Sequence, residues 1–120
     1  MRHFIRRHHI SFQHAWDGIK WAFTTQPNFK VHIILAVLAL ALGYLLDISY
    51  SELTILVLTI VFGLGVEMLN TSIEAMTDLI TTEWKTQAKV AKDVAAGMML
   101  LTAFGTVLVA CLIFLPKIFV

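Results

Sequence analysis

Three long apolar stretches dominate the chain, and short polar segments separate them. The parts without an Asp, Glu, Lys or Arg cover residues 31–46, 53–66 and 94–115. An α-helix rises 1.5 Å per residue, so about 20 residues cross the hydrocarbon layer of a bilayer. Together with their flanking residues, these stretches predict three spanning helices, over residues 31–50, 53–80 and 94–115.

The second and third apolar stretches end in different ways. The second stops at Glu67, but no Gly or Pro interrupts the residues that follow as far as Ile80. Because Gly and Pro are the residues that most often break a helix, we expect the second helix to leave the membrane as an intact rod. Pro116 and Lys117 are expected to close the third helix.

Residues 1–28 follow a different pattern, in which large apolar residues recur at helical spacing. Four of them fall on one face of a helix: Phe12, Trp16, Ile19 and Phe23. A basic amphipathic helix with Trp on its apolar side is typical of a helix that lies in the membrane interface. The alternative is a soluble helix packed on a core. Pro27 disfavours helix at the residue before it, so a turn is expected over residues 24–28.

Composition supports the membrane class. Hydrophobic residues make up 58% of the 120 residues and charged residues 14%, whereas soluble domains average about 45–50% and about 25%. The length predicts a single domain, residues 1–120. A net charge of +1 gives no indication of a nucleic-acid partner. The expected fold is therefore an all-α membrane protein with an N-terminal interfacial helix and three transmembrane helices.

The distribution of Lys and Arg predicts the orientation. Five of the nine lie in residues 1–30, and three lie between the second and third spans, at Lys85, Lys89 and Lys92. Short loops rich in Lys and Arg stay on the cytoplasmic side. We therefore expect a cytoplasmic N-terminus, a cytoplasmic loop between spans two and three, and a C-terminus outside.

Four polar residues form a stripe on the second helix: Glu67, Asn70, Glu74 and Asp78. At 100° per residue they share one face, within about 80°. Carboxylates near membrane depth are costly, about 2.5–3.5 kcal/mol at a helix centre, so this stripe needs a cation, a proton or a basic partner. Bound Mg²⁺ and a lysine of the following loop are the candidates. The structural alternative is a polar network in which Glu74 pairs with Lys92.

Lys92 and Asp93 are expected to open the third helix, where a helix N-terminus attracts anions. Asp93 could serve simply as its N-cap. Acid, metal and lysine together are the components of a phosphoryl-transfer site. No Gly-rich phosphate loop is present, since Gly63-Leu64-Gly65 lies in an apolar span and lacks the Lys-Ser/Thr ending. These glycines, with Gly97 and Gly105, are expected to allow close helix packing.

Three segments together resemble the prokaryotic diacylglycerol kinase family, which includes the undecaprenol kinases. The first is Val66-Glu67-Met68-Leu69-Asn70-Thr71-Ser72-Ile73-Glu74-Ala75-Met76-Thr77-Asp78, and the second is Ala91-Lys92-Asp93-Val94-Ala95-Ala96-Gly97. The third combines Ser11-Phe12, Ala15 and Gly18-Ile19 with Asn28-Phe29-Lys30 and His32. The resemblance extends from about Arg7 to Leu115.

The resemblance implies a homotrimer with sites shared between subunits, ATP with Mg²⁺, and a lipid alcohol as phosphate acceptor. Carried over by position, Glu67 would be the general base, Asn70 would orient the hydroxyl or a phosphate, and Glu74 would hold Mg²⁺. Lys92 would contact the phosphates and Asp93 the nucleotide. Further nucleotide contacts would come from Arg7, His14, Gln26, Glu83 and Lys85. Lipid contacts would come from Glu67, Trp16, Ile19 and Ala96, with the surface helix bordering the path of the lipid.

The chain departs from the family pattern in two places. The family usually has a glutamate at Gln26, where it serves as a second metal ligand; the amide oxygen of Gln26 can still bind a hard cation. The family's Tyr-His after Glu83 is here Trp84-Lys85, which affects the expected nucleotide preference. Neither departure affects Glu67 or Lys92.

The sequence therefore predicts an ATP-dependent lipid kinase of the bacterial inner membrane. The Asn28-Phe29-Lys30-x-His32 segment favours undecaprenol over diacylglycerol as acceptor. Two other classes are weighed against it: a catalytically inert membrane assembly that has lost metal binding through Gln26, and a small transporter or channel subunit. A channel should carry polar groups at mid-membrane, which these spans lack.

Overall fold

A computed structural model describes the backbone of residues 1–119 and the side chains of residue 1 and residues 11–119. Four helices follow one another: α1 (Arg2–Thr25), α2 (Pro27–Leu45), α3 (Tyr50–Ile80) and α4 (Thr86–Phe119). Within residues 1–119 there is no strand. Helices α2, α3 and α4 are each long and apolar enough to cross a membrane. The predicted all-α fold with an N-terminal helix and three spans is confirmed.

The junction between α1 and α2 is tighter than the predicted turn over residues 24–28. Only Gln26 leaves the helical conformation, with φ −101° and ψ 108°. Pro27 begins α2 as its first helical residue, a position where the missing N–H removes no helical hydrogen bond and the fixed φ suits the helix. Helix α2 thus begins at Pro27, four residues before the predicted start of the first span at residue 31.

Helix α3 is continuous from Tyr50 to Ile80, as expected for a rod that extends beyond the apolar segment. A capping box starts it: the N–H of Glu52 donates to Ser49 Oγ (3.2 Å), and the N–H of Ser49 donates to Glu52 Oε2 (2.7 Å). Before this cap, Asp47 turns the chain with a φ of 53°. Reciprocal capping satisfies two backbone donors that a helix start leaves free.

Helix α4 does not end where the sequence predicted. Pro116 lies inside the helix, which continues to Phe119. A proline removes one hydrogen bond, with the carbonyl four residues earlier, and the remaining turn can still form. Lys117 in that turn pairs with Glu52 at 3.2 Å, which links the C-terminal end of α4 to the N-terminal end of α3. The prediction that Pro116 and Lys117 close the helix is therefore wrong by one turn.

The main packing partners are α3 and α4, which a short loop joins, while α2 packs on α3 and α1 contacts α2. A small core of Leu56, Ile113 and Phe114 lies near the end where Glu52 and Lys117 meet. Most other apolar side chains are exposed. Such surface suits contact with lipid or with another protein chain.

Gly43 is the glycine that allows a close approach within the chain. A Cβ at Gly43 would lie 2.7 Å from Ile48 Cδ1. By contrast, a Cβ at Gly63, Gly65, Gly97 or Gly105 would meet nothing within 4 Å. Within one chain, these four glycines therefore do not allow the close helix packing that the sequence led us to expect.

Candidate active site

Glu67 is the buried centre of the polar stripe on α3. The residue is 2% exposed, and its Oε2 atom is buried without a hydrogen bond in the described part of the chain. Among the described residues its ion-pair partner, when the imidazole is protonated, is His32 of α2, whose Nε2 lies 3.8 Å from that oxygen. A buried carboxylate without hydrogen bonds is energetically unfavourable, so such an atom is a candidate for binding a substrate group.

Asn70 and Glu74 form the next part of the stripe. Asn70 Nδ2 donates to Glu74 Oε1 at 3.5 Å, and Asn70 Oδ1 is buried without a partner among the described residues. The hydroxyl of Thr71 does not reach the carboxylate of Glu67, since it donates to the carbonyl of Glu67 at 3.0 Å. Two oxygens of the stripe, on Glu67 and on Asn70, therefore remain open for a ligand.

Asp78 connects the stripe to α4. Lys92 Nζ donates to Asp78 Oδ1 at 2.6 Å. The alternative network that paired Glu74 with Lys92 is therefore not the arrangement found. Lys92 remains near the charge of Glu74, which acts on it through space.

Lys92 and Asp93 lie inside α4 and do not open it. The helix begins at Thr86, so both residues are almost two turns from its N-terminus. The polar residues before the apolar run continue the helix, because loss of hydrophobicity marks the membrane boundary and not the helix end. Asp93 is therefore no N-cap; it forms an ion pair with Lys89, one turn away. This corrects the expectation of an anion site at a helix N-terminus.

A polar cavity of about 360 Å³ lies between the ends of α3 and α4. Its lining includes Glu83, Lys85, Lys92 and Asp93, four of the residues predicted to contact nucleotide. Lys85 pairs with Glu83 at 3.5 Å. Each described lysine of this cavity is therefore held by a carboxylate, and its ammonium group keeps further N–H donors for a polyphosphate.

An apolar groove of about 680 Å³ separates α1 from α2 and α3. Trp16 and Ile19, both predicted to contact lipid, line it from α1, and Gly65 and Met68 line it from α3. Met68 directly follows Glu67 in α3, so the groove reaches the turn of the helix that carries Glu67, although the Glu67 side chain itself is not part of the lining. Ala96, the remaining lipid-contact candidate, is exposed on α4 and is not part of this lining.

The other predicted residues are more dispersed. Gln26 stands at the junction of α1 and α2, where its Nε2 donates to Thr25 Oγ1 at 3.4 Å. His14 is exposed on α1. Arg7 lies outside the described side chains. Over the described residues, no group of three or more His, Cys, Asp and Glu could hold a metal.

The oxygen donors of the stripe nevertheless fit Mg²⁺. This cation favours oxygen ligands and is usually held by one or two carboxylates together with substrate phosphates and water. Glu74 supplies an exposed carboxylate, and the open amide oxygen of Asn70 lies on the same face. One chain thus offers a partial ligand set that ATP phosphates would complete.

One chain does not bring Glu67 and Lys92 together. Glu67 and Asp78 are eleven residues apart on a continuous helix, which corresponds to about 16 Å along its axis. Lys92 is bonded at the Asp78 end. Reaction between groups at these two positions requires either movement of Lys92 or a contribution from a second chain.

His32 is the member of the site that the sequence did not reveal. In the sequence, His32 stands out only as part of the family resemblance, at the end of Asn28-Phe29-Lys30-x-His32. A single ionisable residue at the beginning of an apolar span is a weak signal, since only packing of α2 on α3 brings it to Glu67.

Comparison with known proteins gives one family. The family model described as prokaryotic diacylglycerol kinase matches residues 13–114. A diacylglycerol kinase of Synechocystis sp. is 36% identical over 110 residues, which are 91% of this chain and 63% of that protein. An undecaprenol kinase of Bacillus subtilis is 39% identical over 117 residues, covering 98% and 95% of the two chains. A diacylglycerol kinase of Escherichia coli is 25% identical over 100 residues, covering 83% and 82%.

Proposed function

Because the chain belongs to the prokaryotic diacylglycerol kinase family, we propose that it transfers the γ-phosphate of ATP to the hydroxyl group of a membrane lipid alcohol. Undecaprenol is the favoured acceptor, supported by the alignment of nearly the whole chain with the Bacillus subtilis undecaprenol kinase. Diacylglycerol is the second candidate, supported by the Synechocystis relative named for that lipid.

The observation that carries the proposal is the buried carboxylate of Glu67, whose Oε2 has no hydrogen bond among the described residues, on a helix that lines an apolar groove at the next residue, Met68. A lipid chain in the groove between α1 and α3 would bring its hydroxyl end to the turn of α3 that carries this carboxylate. A general base must reach the proton that it accepts within hydrogen-bond distance. The orphan oxygen of Glu67 is available for that contact.

In the proposed reaction, Glu67 accepts the proton of the lipid hydroxyl while the hydroxyl oxygen attacks the γ-phosphorus. The bond from that phosphorus to the β–γ bridging oxygen breaks, and ADP leaves with the electron pair. Glu74, Asn70 and Gln26 would hold Mg²⁺, which when bound with ATP neutralises phosphate charge. Lys92 would contact the phosphates; Arg7, His14, Glu83, Lys85 and Asp93 would bind the nucleotide.

Orientation and assembly are part of the proposal. The N-terminus and the loop between α3 and α4 would face the cytoplasm, where ATP is available, and the C-terminus would lie outside. Labelling of cells carrying Cys111→Ser together with Asp47→Cys or Thr82→Cys tests this: an impermeant thiol reagent should reach position 47 and not position 82. A homotrimer with shared sites is supported by the partial ligand set of one chain and its exposed apolar surface.

The test supplies labelled ATP and Mg²⁺ to purified protein in lipid that contains undecaprenol or diacylglycerol. We expect label in the lipid fraction, a loss of at least about 100-fold in Glu67→Gln, and wild-type rates in the control Asp47→Asn on the opposite side. The absence of transfer to either acceptor would exclude the kinase function. Ion flux through protein-containing vesicles would instead support the channel alternative.

Gln26 is tested by restoring the acidic residue usual in the family. If position 26 contacts the metal, Gln26→Glu should reach half-maximal rate at a lower Mg²⁺ concentration, because a carboxylate binds Mg²⁺ more strongly than an amide oxygen. An unchanged Mg²⁺ dependence would remove residue 26 from the metal site.

A further inference from the structure

We infer that His32 of α2 is a positioning residue for Glu67, and that it holds the carboxylate in place and stabilises its charged form. The inference rests on the proposed role of Glu67 as general base. Its direct observation is the contact between two spanning helices, His32 Nε2 to Glu67 Oε2 at 3.8 Å.

The polar hydrogens of the next turn of α3 are already engaged, since Thr71 donates to a backbone carbonyl and Asn70 Nδ2 donates to Glu74. Lys92 is held by Asp78, about three turns further along α3. In the part of the chain whose side chains are described, the one ion pair of Glu67 is with His32. A carboxylate whose side chain is 3% exposed cannot rely on water for its stability, so this neighbour matters.

The imidazole has room to close the remaining gap. A hydrogen bond between nitrogen and oxygen spans about 2.7–3.2 Å, so the 3.8 Å contact needs a shift of less than about 1 Å. His32 lines a cavity of about 170 Å³ between α2, α3 and α4, and apart from three threonines the rest of that lining is apolar. The cavity offers His32 no other charged partner, and its free space permits the shift.

The chemistry suits a base that must remain ionised in an apolar site. An N–H of the imidazole can donate to one lone pair of Oε2, and the carboxylate keeps its remaining lone pairs for the lipid hydroxyl. In its cationic form the ring also offsets the negative charge of Glu74, which lies two turns along the same face. Without His32, burial would favour the protonated carboxyl group, which cannot accept a proton.

The kinetic test compares His32→Ala, His32→Gln and the neighbouring control Val31→Ala, whose side chain is exposed. We expect kcat of His32→Ala to fall about 10- to 100-fold, the equivalent of one charge-assisted hydrogen bond, with KM for ATP and for lipid little changed. His32→Gln should recover part of the loss, because its amide can donate to the same oxygen. Val31→Ala should behave as wild type.

A second measurement does not depend on kinase activity. Dicyclohexylcarbodiimide reacts with protonated carboxyl groups in apolar surroundings, and mass spectrometry can follow its addition to Glu67. We expect several-fold faster labelling of Glu67 in His32→Ala than in wild type at neutral pH, with His32→Gln between them.

Equal kcat and equal labelling in wild type and His32→Ala would overturn the inference. Equal losses of kcat in His32→Ala and His32→Gln, with unchanged labelling, would also overturn it, because they would reflect packing alone. If wild type transfers no phosphate at all, the proposed function fails, and the labelling comparison still decides whether His32 controls the ionisation of Glu67.

Discussion

At the scale of single residues, the site is defined by which polar atoms have partners. Glu67 Oε2 and Asn70 Oδ1 have none in the described part of the chain, whereas Lys92 is held by Asp78 at 2.6 Å. Unpartnered buried oxygens indicate where a substrate or cation binds. A lysine ammonium group has three N–H donors, so Lys92 can keep its bond to Asp78 and still donate to a phosphate.

Asp78 is therefore expected to position Lys92 for nucleotide. In Asp78→Asn the charge that holds Lys92 is lost, so the lysine samples more rotamers; we expect KM for ATP to rise several-fold, with a smaller effect on kcat. Steady-state kinetics at varied ATP concentration measure both constants. Asp47→Asn, which lies before the other end of α3, is the control. A fall in KM for ATP would mean that Asp78 instead competes with the phosphates for Lys92.

Gly43 is a residue-scale determinant of stability. A methyl group at this position would lie 2.7 Å from Ile48 Cδ1, so Gly43→Ala forces the Ile48 side chain to move. We expect a net loss of about 1 kcal/mol, at the low end for overpacking because the end of a flexible side chain can yield. Thermal unfolding in detergent measures this, and kinase activity at low temperature should persist.

The matched control for this prediction is Gly18→Ala. A Cβ at Gly18 in α1 meets nothing within 4 Å, and alanine is favoured over glycine inside helices by about 0.8–1.0 kcal/mol. Gly18→Ala should therefore be neutral or stabilising. A larger loss for Gly18→Ala than for Gly43→Ala would contradict this account of the packing.

At the scale of elements, α3 organises the site because one unbroken helix carries the carboxylates past the apolar segment. The first half of α3 lies in the apolar segment, and its second half carries Asn70, Glu74 and Asp78 toward the loop before α4. The amphipathic helix α1 lies across α2 and presents Trp16 and Ile19 to the groove. The groove is therefore formed by three helices, α1, α2 and α3, and none of them forms it alone.

Filling the groove should affect lipid and not nucleotide. A Cβ at Gly65 meets nothing within 4 Å, and Gly65 lines the groove. In Gly65→Leu the added side chain would occupy the proposed lipid site, so we expect KM for the lipid alcohol to rise at least several-fold while KM for ATP stays unchanged. Gly65→Ala should give a smaller rise in the same direction. Unchanged lipid kinetics in Gly65→Leu would place the acceptor elsewhere.

At the scale of the whole molecule, one chain is an incomplete catalyst. Glu67 and the Asp78–Lys92 pair are separated by about 16 Å along α3, and the described residues of one chain offer no cluster of three metal-binding side chains. The extensive exposed apolar surface, including Leu101 and Phe104 of α4, provides area for association in the membrane. Sites shared between copies would resolve both observations.

Mixing two inactive variants tests shared sites. Glu67→Gln and Lys92→Ala should each be inactive alone. If a site takes Glu67 from one chain and Lys92 from the next, random co-assembly should restore roughly a quarter of wild-type activity, since half of the chains supply each residue. Phosphate transfer after unfolding and refolding the mixture measures this. If the refolded mixture is inactive while wild type refolded in the same way is active, Glu67 and Lys92 of one site belong to one chain.

Much of the fold was predictable from the sequence because its causes are local. The three spans follow from apolar runs of the length of a bilayer, and the shared face of Glu67, Asn70, Glu74 and Asp78 follows from the helical repeat. Helix ends were less predictable. Hydropathy reports the membrane boundary, so it missed the polar first turns of α4, and a proline at position 116 did not stop a helix already near its end.

The sequence by itself determined the membrane class, the number of spans and, through its motifs, the family and the stripe that bears the chemistry. Only the tertiary structure decided which partners those residues have. In the folded chain His32 lies beside Glu67, Lys92 pairs with Asp78 and not with Glu74, and a groove lies between α1 and α3. The physical reason is that periodicity fixes the face of a helix on which a residue lies, whereas the depth and rotation at which two helices pack depend on all the side chains between them.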